Sequence, residues 1–411
     1  MKIFIADYLP LANKGEEEIL RGIEVLFREK GDDSILFSVF GDVQEPTKTG
    51  NVMVFPKSIC YPDFGLRGKK YYLACLLWAI LDIMGCYPYR KRFLSHKSLI
   101  AEIDSSDKIL IGHDGFFNIR CAMLGNYLNR RGYRYGIIGA GFNKPSKKMA
   151  WAYNKVYKRC FDNAEYVILR EKTAFDYVSS LSHNSCIRLY PDPAFFCPDN
   201  EFNKKRVTDI MSKYGFNDEQ GIKIGLTVCE DSISFSRAFL NSTNRVNDHR
   251  EFIAKLIEMI SNKYKCTFYF LPHCIKEGKG DDLAIAKNIK SRLNSTVDCR
   301  IIEEDMPVLD LKHIISKLDL LIGERTHSVI NSIATATPFV SLTCSADFRT
   351  HDIVGVGCGL PQQIYDLDSP DLKVLFDKFD KTISNKDELN ASLQAICDRH
   401  GLMKNEFQKI I

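Results

Sequence analysis

The chain has 411 residues, 45% of them hydrophobic and 26% charged, with a formal net charge of +4. These values describe a folded globular protein and exclude a disordered one, and the basic residues form no single long tract, which argues against nucleic acid as a partner. The length exceeds one ordinary core, so two domains are expected.

In chain order, Lys2–Asp7 reads as a buried parallel strand. Glu16–Glu29 reads as an amphipathic helix with Ile19, Leu20, Ile23, Leu26 and Phe27 on one face. Strands follow at Ser34–Phe40, Val52–Phe55, Lys108–Gly112 and Tyr135–Gly139. A basic helix around Met149–Asp162 then leads to a strand at Tyr166–Arg170. Alternation of strand and helix predicts an α/β fold with a mostly parallel, doubly wound sheet. Tyr190-Pro191-Asp192-Pro193 breaks the pattern, and the stretch through Pro198 into Asp199–Asp209 reads as an interdomain linker. A second alternation follows, with strands at Ile222–Val228, Thr267–Leu271, Arg300–Ile302, Leu318–Ile322 and Phe339–Thr343. The expected domains are therefore 1–198 and 199–385. The tail 386–411 is expected to be a helix that packs back on the first domain, with Leu389, Leu393, Ile396 and Cys397 on one face.

The cysteines number 14. None lies in a C-x-x-C pair, and Cys75, Cys121, Cys229, Cys266 and Cys344 sit in apolar runs. That usage fits the reduced thiols of a cytoplasmic protein, with no metal ligation expected. Asp7 interrupts the apolar start too early for a secretory leader.

Tyr71–Leu81 is uninterrupted apolar, with Arg67, Lys69 and Lys70 before it and Arg90, Lys91 and Arg92 after it. A membrane span needs about 20 apolar residues, so this run is too short to cross. Two readings of segment 67–92 stand side by side: a helix buried in the first domain, or an interfacial helix with basic flanks on anionic headgroups.

The sharpest chemical signal is Gly323-Glu324-Arg325-Thr326-His327-Ser328, between a strand and a helix. Thr326 or Ser328 is expected to cap that helix, whose N-terminus offers N–H groups and a positive dipole end. Arg325 adds a planar fork for carboxylate or phosphate, and His327 a group that titrates near neutral pH. Arg170-Glu171 at another strand end supplies a second anion candidate, against the alternative of a strand-end salt bridge. Asn13-Lys14-Gly15-Glu16, Gly112-His113-Asp114-Gly115, and Leu271-Pro272-His273 with Asp281 and Asp282 also follow strands. Ligands in open α/β sheets bind beyond such ends.

Taken in order, these motifs resemble the polysaccharide pyruvyltransferase family. Asn13-Lys14-Gly15-Glu16 looks like its N-x-G-D/E loop, Arg170-Glu171 its R-D/E element, and Pro191-Asp192-Pro193-Ala194-Phe195 its P-D-P element. Leu271-Pro272 with Asp281 and Asp282 is similar to its P…D element. Arg325-Thr326-His327 with Ala336-Thr337-Pro338 is similar to its R-x-H and small-x-P. Two departures are His113-Asp114 in place of a plainer glycine run, and Phe348-Arg349 where the family often has a lysine. The resemblance implies two Rossmann-like domains facing a central cleft, a GT-B-like arrangement. It also implies transfer of pyruvate from phosphoenolpyruvate to sugar hydroxyls as a ketal. Arg170, Arg325, Thr326 and His327 are expected to hold the donor, with His327 as acid/base and Arg325 beside it. Asp281 or Glu324 is the expected carboxylate counterpart. Asn13, Lys14, Gly15, His113, Asp114, His273 and Asp281 are assigned to the acceptor, a bacterial surface-glycan precursor. A membrane-facing 71–87 segment would favour a polyprenyl-diphosphate-linked acceptor at the inner face of the cytoplasmic membrane. No cofactor or metal is expected. The competing readings are a GT-B glycosyltransferase with a nucleotide-sugar donor and a non-catalytic glycan-binding scaffold.

Overall fold

A computed structural model describes residues 1–10, 12–28, 35–57, 69–86, 97–112, 117–142, 144–217, 221–230, 232–234, 236–240, 242–275 and 280–411. The chain divides into two compact units. One comprises Met1–Leu11, Glu24–Pro193 and Lys404–Ile411, and the other Ala12–Ile23 and Ala194–Met403.

The first unit is built on β1 (Lys2–Tyr8), β2 (Leu36–Gly41), β3 (Thr47–Thr49), β4 (Val52–Pro56) and β5 (Lys108–Leu110), in the order β3-β4-β2-β1-β5. Only β3 runs antiparallel to its neighbour. A parallel bridge from Leu110 to Gly136 continues the order into β6 (Ile137–Ala140), β7 (Val167–Leu169) and β8 (Ile187–Leu189). Its helices are α1 (Lys14–Phe27), which the unit boundary crosses, α2 (Lys69–Ile83), α3 (Lys97–Asp104), α4 (Ile119–Arg130), α5 (Ala150–Asn163) and α6 (Lys172–Leu181). Phe4, Tyr135, Phe142, Val156 and Phe161 meet in its core.

The second unit carries β9 (Ile222–Thr227), β10 (Cys266–Phe270), β11 (Cys299–Ile301), β12 (Leu320–Gly323), β13 (Phe339–Thr343) and β14 (Ile364–Asp366). All are parallel, in the order β11-β10-β9-β12-β13-β14. This is the doubly wound Rossmann order, and it reverses direction between β9 and β12. Side chains alternate along the strands: Phe268, Phe270, Leu320 and Ile322 join one core, while Tyr269, Leu271 and Leu321 join the other. Helices on both faces therefore bury both sides of each strand, which is why the strands read as continuous apolar runs. Those helices are α7 (Lys204–Lys213), α8 (Arg245–Lys263), α9 (Asp282–Lys290), α10 (Val308–Ile315), α11 (Thr326–Ala334), α12 (Leu372–Ser384) and α13 (Lys386–Gln408).

Three short strands, β3, β8 and β14, escape the sequence pattern. The polar stretch expected as linker through Asp209 turns helical at Lys204. Asn203 caps α7 by accepting from Arg206 N at 3.0 Å, and its own N–H donates to Asp310 Oδ1 at 2.8 Å. Polarity there marks a capped, half-exposed helix rather than a linker.

Helix α2 matches neither reading of its segment alone. Cys75, Ala79 and Asp82 are buried, while Tyr72, Leu73 and Leu77 are 58%, 66% and 55% exposed. Residues 67, 68 and 87–92 lie outside the described residues. Among the described residues, no helix is long and apolar enough to cross a membrane. One edge of α2 is tied down by polar bonds. Asn126 Nδ2 donates to Asp82 Oδ2 at 2.8 Å, and Arg159 Nη1 donates to the Asp82 carbonyl at 2.8 Å. Burial pushes the Asp82 carboxyl up to about 6, against the pull of Asn126 and Arg159.

A carboxyl raised in the folded state binds its proton more tightly there than in the unfolded chain. Its contribution to stability is complete below the ordinary carboxylate range and is lost as pH rises through about 6. Asp82→Asn keeps an acceptor for Asn126 and removes the buried charge. The variant should gain roughly 1–2 kcal/mol over wild type above pH 7, and the gain should vanish near pH 4. Urea melts across that range check it, and a pH-independent difference would count against a buried charge at Asp82.

Candidate active site

In the second unit the sheet reversal brings the ends of β9 and β12 side by side, and Glu324 N donates to the Thr227 carbonyl at 2.8 Å. Ligand crevices in such sheets open at this switch point. Four buried residues, Leu320 to Gly323, deliver the chain there. A Cβ on Gly323 would lie 2.9 Å from Val329 Cγ2 and 3.0 Å from Ser328 Oγ, so only glycine lets α11 start this close to the strand. The helix runs to Ala334, and just beyond its cap Ala336 takes the left-handed region (φ 52°), where Ser332 Oγ donates to the Thr337 carbonyl at 2.9 Å.

The expected cap does not form. Helix α11 begins at Thr326 itself, so the cap position falls to Arg325, whose side chain has no acceptor. Thr326 Oγ1 lies 2.9 Å from Thr350 Oγ1. Ser328 Oγ donates to the Arg325 carbonyl at 2.7 Å and lies 2.6 Å from Thr227 Oγ1. Arg325, at the cap position, makes no side-chain cap bond at the start of this nine-residue helix, whose positive end lies at the corner.

Arg325 is aimed by a carboxylate. Its Nη2 donates to Asp282 Oδ1 at 2.5 Å and its Nε to Oδ2 at 3.2 Å. The same Oδ2 accepts from His273 N at 3.1 Å and Cys274 N at 3.0 Å. Burial raises the Asp282 carboxyl above its ordinary value, while Arg325 and those two N–H groups pull it down. Asp281, an expected site residue, caps α9, accepting from Leu283 N at 3.1 Å. Two adjacent aspartates at a helix start look alike in sequence, and the backbone direction at the cap decides which turns inward.

The start of α1 belongs to the same unit. Asn13 Oδ1 accepts from Gly15 N at 3.1 Å, and Asn13 forms an antiparallel bridge with Cys274. Lys14 N donates to the His273 carbonyl at 3.0 Å, and Lys14 Nζ lies 2.5 Å from Asp305 Oδ1. The His327 ring stacks onto the backbone at Gly15, where a Cβ would lie 2.4 Å from Nδ1 and 2.7 Å from Cγ. His273 is 1% exposed, with Nδ1 3.0 Å from the Leu271 carbonyl. Its pKa is pushed down to about 3, mainly by burial, with the nearby charges of Arg325, His327 and Lys14 adding to the effect. Asn13, Lys14, Gly15, His273, Asp282, Arg325 and His327 therefore converge on one corner.

Other expected residues lie elsewhere or are otherwise bound. His113 and Asp114 lie outside the described residues. Arg170 belongs to the first unit, at the end of β7, where its Nη1 donates to Asp192 Oδ2 at 2.5 Å with both side chains buried. Glu324 is committed inside the second unit: Oε2 accepts from Cys229 N at 2.7 Å, and Oε1 lies 2.6 Å from His249 Nε2. His249, which no sequence motif marks, sits in the second turn of α8. Arg349, in the position where a lysine was looked for, is paired with Asp347 at 3.0 Å. Among the described residues, no cluster of His, Cys, Asp and Glu could hold a metal.

Gly15→Ala would put a methyl 2.4 Å from His327 Nδ1, so the ring must shift, and the roughly 1 kcal/mol that alanine gains over glycine inside a helix does not fully offset that repacking. The variant should therefore fold with a slightly lower Tm. Because the new methyl displaces the His327 ring, turnover should fall at least tenfold. Melting curves beside turnover separate the two effects, and full activity in the variant would show that His327 need not rest on α1.

Several solved structures share the fold at low identity. Trehalose-6-phosphate synthase OtsA aligns at 12% identity with a TM-score of 0.57, covering 99% of this chain and 97% of that one. UDP-GlcNAc 2-epimerase from Neisseria meningitidis bound to UDP-GlcNAc aligns at 10% with a TM-score of 0.56, covering 96% and 94%. The S. aureus MnaA–UDP structure aligns at 11% with a TM-score of 0.52, covering 95% and 90%. These likenesses show the fold, α/β with Rossmann-like units of the GT-B-like class. No protein of curated function matches the chain. The family model described as polysaccharide pyruvyl transferase matches residues 13–345, most of the chain, from the Asn13 turn through the Arg325-Thr326-His327 corner, and the protein belongs to that family.

Proposed function

We propose that this corner binds phosphoenolpyruvate and that the enzyme transfers its pyruvyl group to two hydroxyls of a saccharide, forming a ketal. The observation that carries the reading is the Arg325 guanidinium, fixed by Asp282 beside His327 at the start of α11. Phosphoenolpyruvate presents a carboxylate and a phosphate, which a fixed guanidinium fork and a helix N-terminus both suit. In the proposed sequence, protonated His327 delivers a proton to C3, leaving an oxocarbenium-like C2. One sugar hydroxyl attacks C2 and releases its proton back to His327. A second hydroxyl then displaces phosphate from C2, and its proton leaves with the phosphate. Arg325 and the α11 N–H groups stabilise the phosphate charge as it departs.

Arg170 is proposed as a further donor ligand on motif order. Its buried pair with Asp192 also holds its own unit together, so Arg170→Lys is the variant that separates binding from folding. Arg325→Ala and His327→Ala should each lower transfer by about 10²–10³ or more with the fold intact. Phosphate release from phosphoenolpyruvate with a saccharide panel reads this directly. Thermal shifts with phosphoenolpyruvate and with UDP-GlcNAc discriminate the donors. Stabilisation by the nucleotide sugar alone would replace the proposal with glycosyl transfer.

The exposed apolar face of α2 favours a lipid-linked acceptor, with the protein peripheral on the cytoplasmic face of the membrane. Leu73 and Leu77 lie four residues apart on that face, and Lys69 and Lys70 are exposed at the start of the helix. An apolar face flanked by cations matches an anionic bilayer surface. Leu73→Ser with Leu77→Ser should abolish sedimentation with phosphatidylglycerol vesicles while sparing turnover of a soluble acceptor. Equal sedimentation of both proteins would remove the membrane contact.

A further inference from the structure

The first unit carries a second exposed apolar group beside α2. Trp151 opens α5 and is 55% exposed, whereas Ala152, Tyr153, Val156 and Tyr157 behind it are buried. A large aromatic ring left in water forgoes the burial that usually holds such a ring, so its place on the surface calls for a reason.

Packing puts this ring at one end of the α2 face. The two helices lie against each other. Near the end of α5, Arg159 Nη1 donates to the Asp82 carbonyl at 2.8 Å and Nη2 to the Ile83 carbonyl at 3.3 Å, at the end of α2. Near the start of α5, burial pushes the Tyr153 hydroxyl up, and Cys75, Tyr71 and Tyr72 of α2 are close enough to add to it. Helices α2 and α5 therefore run side by side in one direction, and Trp151 lies toward the Lys69–Leu73 end of α2. Asn126 of α4 ties both down, donating to Asp82 Oδ2 at 2.8 Å and to the Val156 carbonyl at 3.2 Å. The pair leaves exposed Tyr72, Leu73 and Leu77, then Met84 just past the end of α2, and on α5 Trp151 with Lys155 one turn on.

The charge beside these groups is positive. From Lys144 to Arg159 the chain has six cations and no acidic residue. Lys147 and Lys148 are exposed just before α5, and Lys69 and Lys70 open α2. The positive end of a helix dipole disfavours cations, so neither pair is there to stabilise its helix. A second copy of this face would set the same cations against each other, and a nucleic acid would leave the leucines unmatched. Exposed tryptophan and leucine side chains flanked by lysines match the surface of an anionic bilayer, where tryptophan sits at the headgroup level.

We propose that the start of α5 is a second membrane anchor, with Trp151 seated among the headgroups of an anionic bilayer and Lys147, Lys148 and Lys155 on lipid phosphates. The inference rests on the proposed contact of α2 with that surface and goes beyond it. A single interfacial helix can roll about its axis. A second contact to one side of α2 stops the roll and holds the first unit in one orientation on the membrane.

Trp78→Phe leaves Trp151 as the sole tryptophan of the chain. In that full-length variant, the emission of Trp151 should shift to shorter wavelength on phosphatidylglycerol vesicles. It should be quenched when the lipids are brominated on the acyl carbons nearest the headgroup. Phosphatidylcholine vesicles should do neither. In the wild-type background, Trp151→Ser, and Lys147→Gln with Lys148→Gln, should each weaken sedimentation with phosphatidylglycerol vesicles about tenfold or more. Their Tm should be unchanged or slightly higher, since these side chains are exposed. Emission unmoved by vesicles that do sediment the protein, or variants that sediment like wild type, would overturn the second anchor and leave the α2 contact standing. A shift that follows protein concentration without vesicles would assign the face to a second copy of the chain and overturn the anchor too. No sedimentation of the wild type would remove the α2 contact and this inference with it.

Discussion

The carboxylate of Asp282 is the constraint on which the corner depends. It accepts from Arg325 on one side and from the backbone N–H groups of His273 and Cys274 on the other. One buried charge thus ties the turn after β12 to the chain leaving β10. Removing a buried carboxylate would leave a guanidinium without its partner, which costs more than the pair itself contributes. The value of the pair lies in direction: a guanidinium already held in place loses less freedom when it meets an anion.

The start of α1 closes the corner from another part of the chain. Its residues Lys14–Ile23 belong to the second unit and only its last turn, Glu24–Phe27, to the first. Lys14, Glu16 and Glu18 are buried there, an unusual set of charges for the first turns of a helix. Two of the three are paired within the unit: Lys14 meets Asp305, and Glu18 Oε2 accepts from Asn331 Nδ2 at 3.2 Å on α11. The same turn that fixes Lys14 sets Gly15 under His327. The Asn13-Lys14-Gly15 turn that follows the first strand is, in the fold, a seat for a histidine.

Two helices with strongly apolar sequence patterns met different fates. Helix α11 buries Val329 and Ile333 in one core with Leu321 of β12 and Phe339 of β13. Helix α2 is apolar on every side yet buries only one edge, anchored by Asp82, Asn126 and Arg159. Hydrophobicity alone does not separate the two cases. The difference lies in whether a sheet face is available to cover the helix, and that is decided by topology.

The residue pattern by itself determined the strand–helix alternation and the position of the Arg325-Thr326-His327 turn. It did so because buried parallel strands must be apolar throughout and helices keep a 3.6-residue period. The ordered motifs determined the family. Boundaries were legible only to within a few residues, and β3, β8 and β14 were not legible at all. Only the tertiary structure decided the strand order, and with it that Glu324 meets Thr227 at the switch point. It also decided that Asp282 rather than Asp281 holds Arg325, that neither Thr326 nor Ser328 caps α11, and that His249 secures Glu324. These choices depend on contacts between residues up to about a hundred positions apart or on the direction of one backbone turn. A one-dimensional pattern records residue type and spacing, and neither of those specifies which side chain faces a partner that another strand supplies.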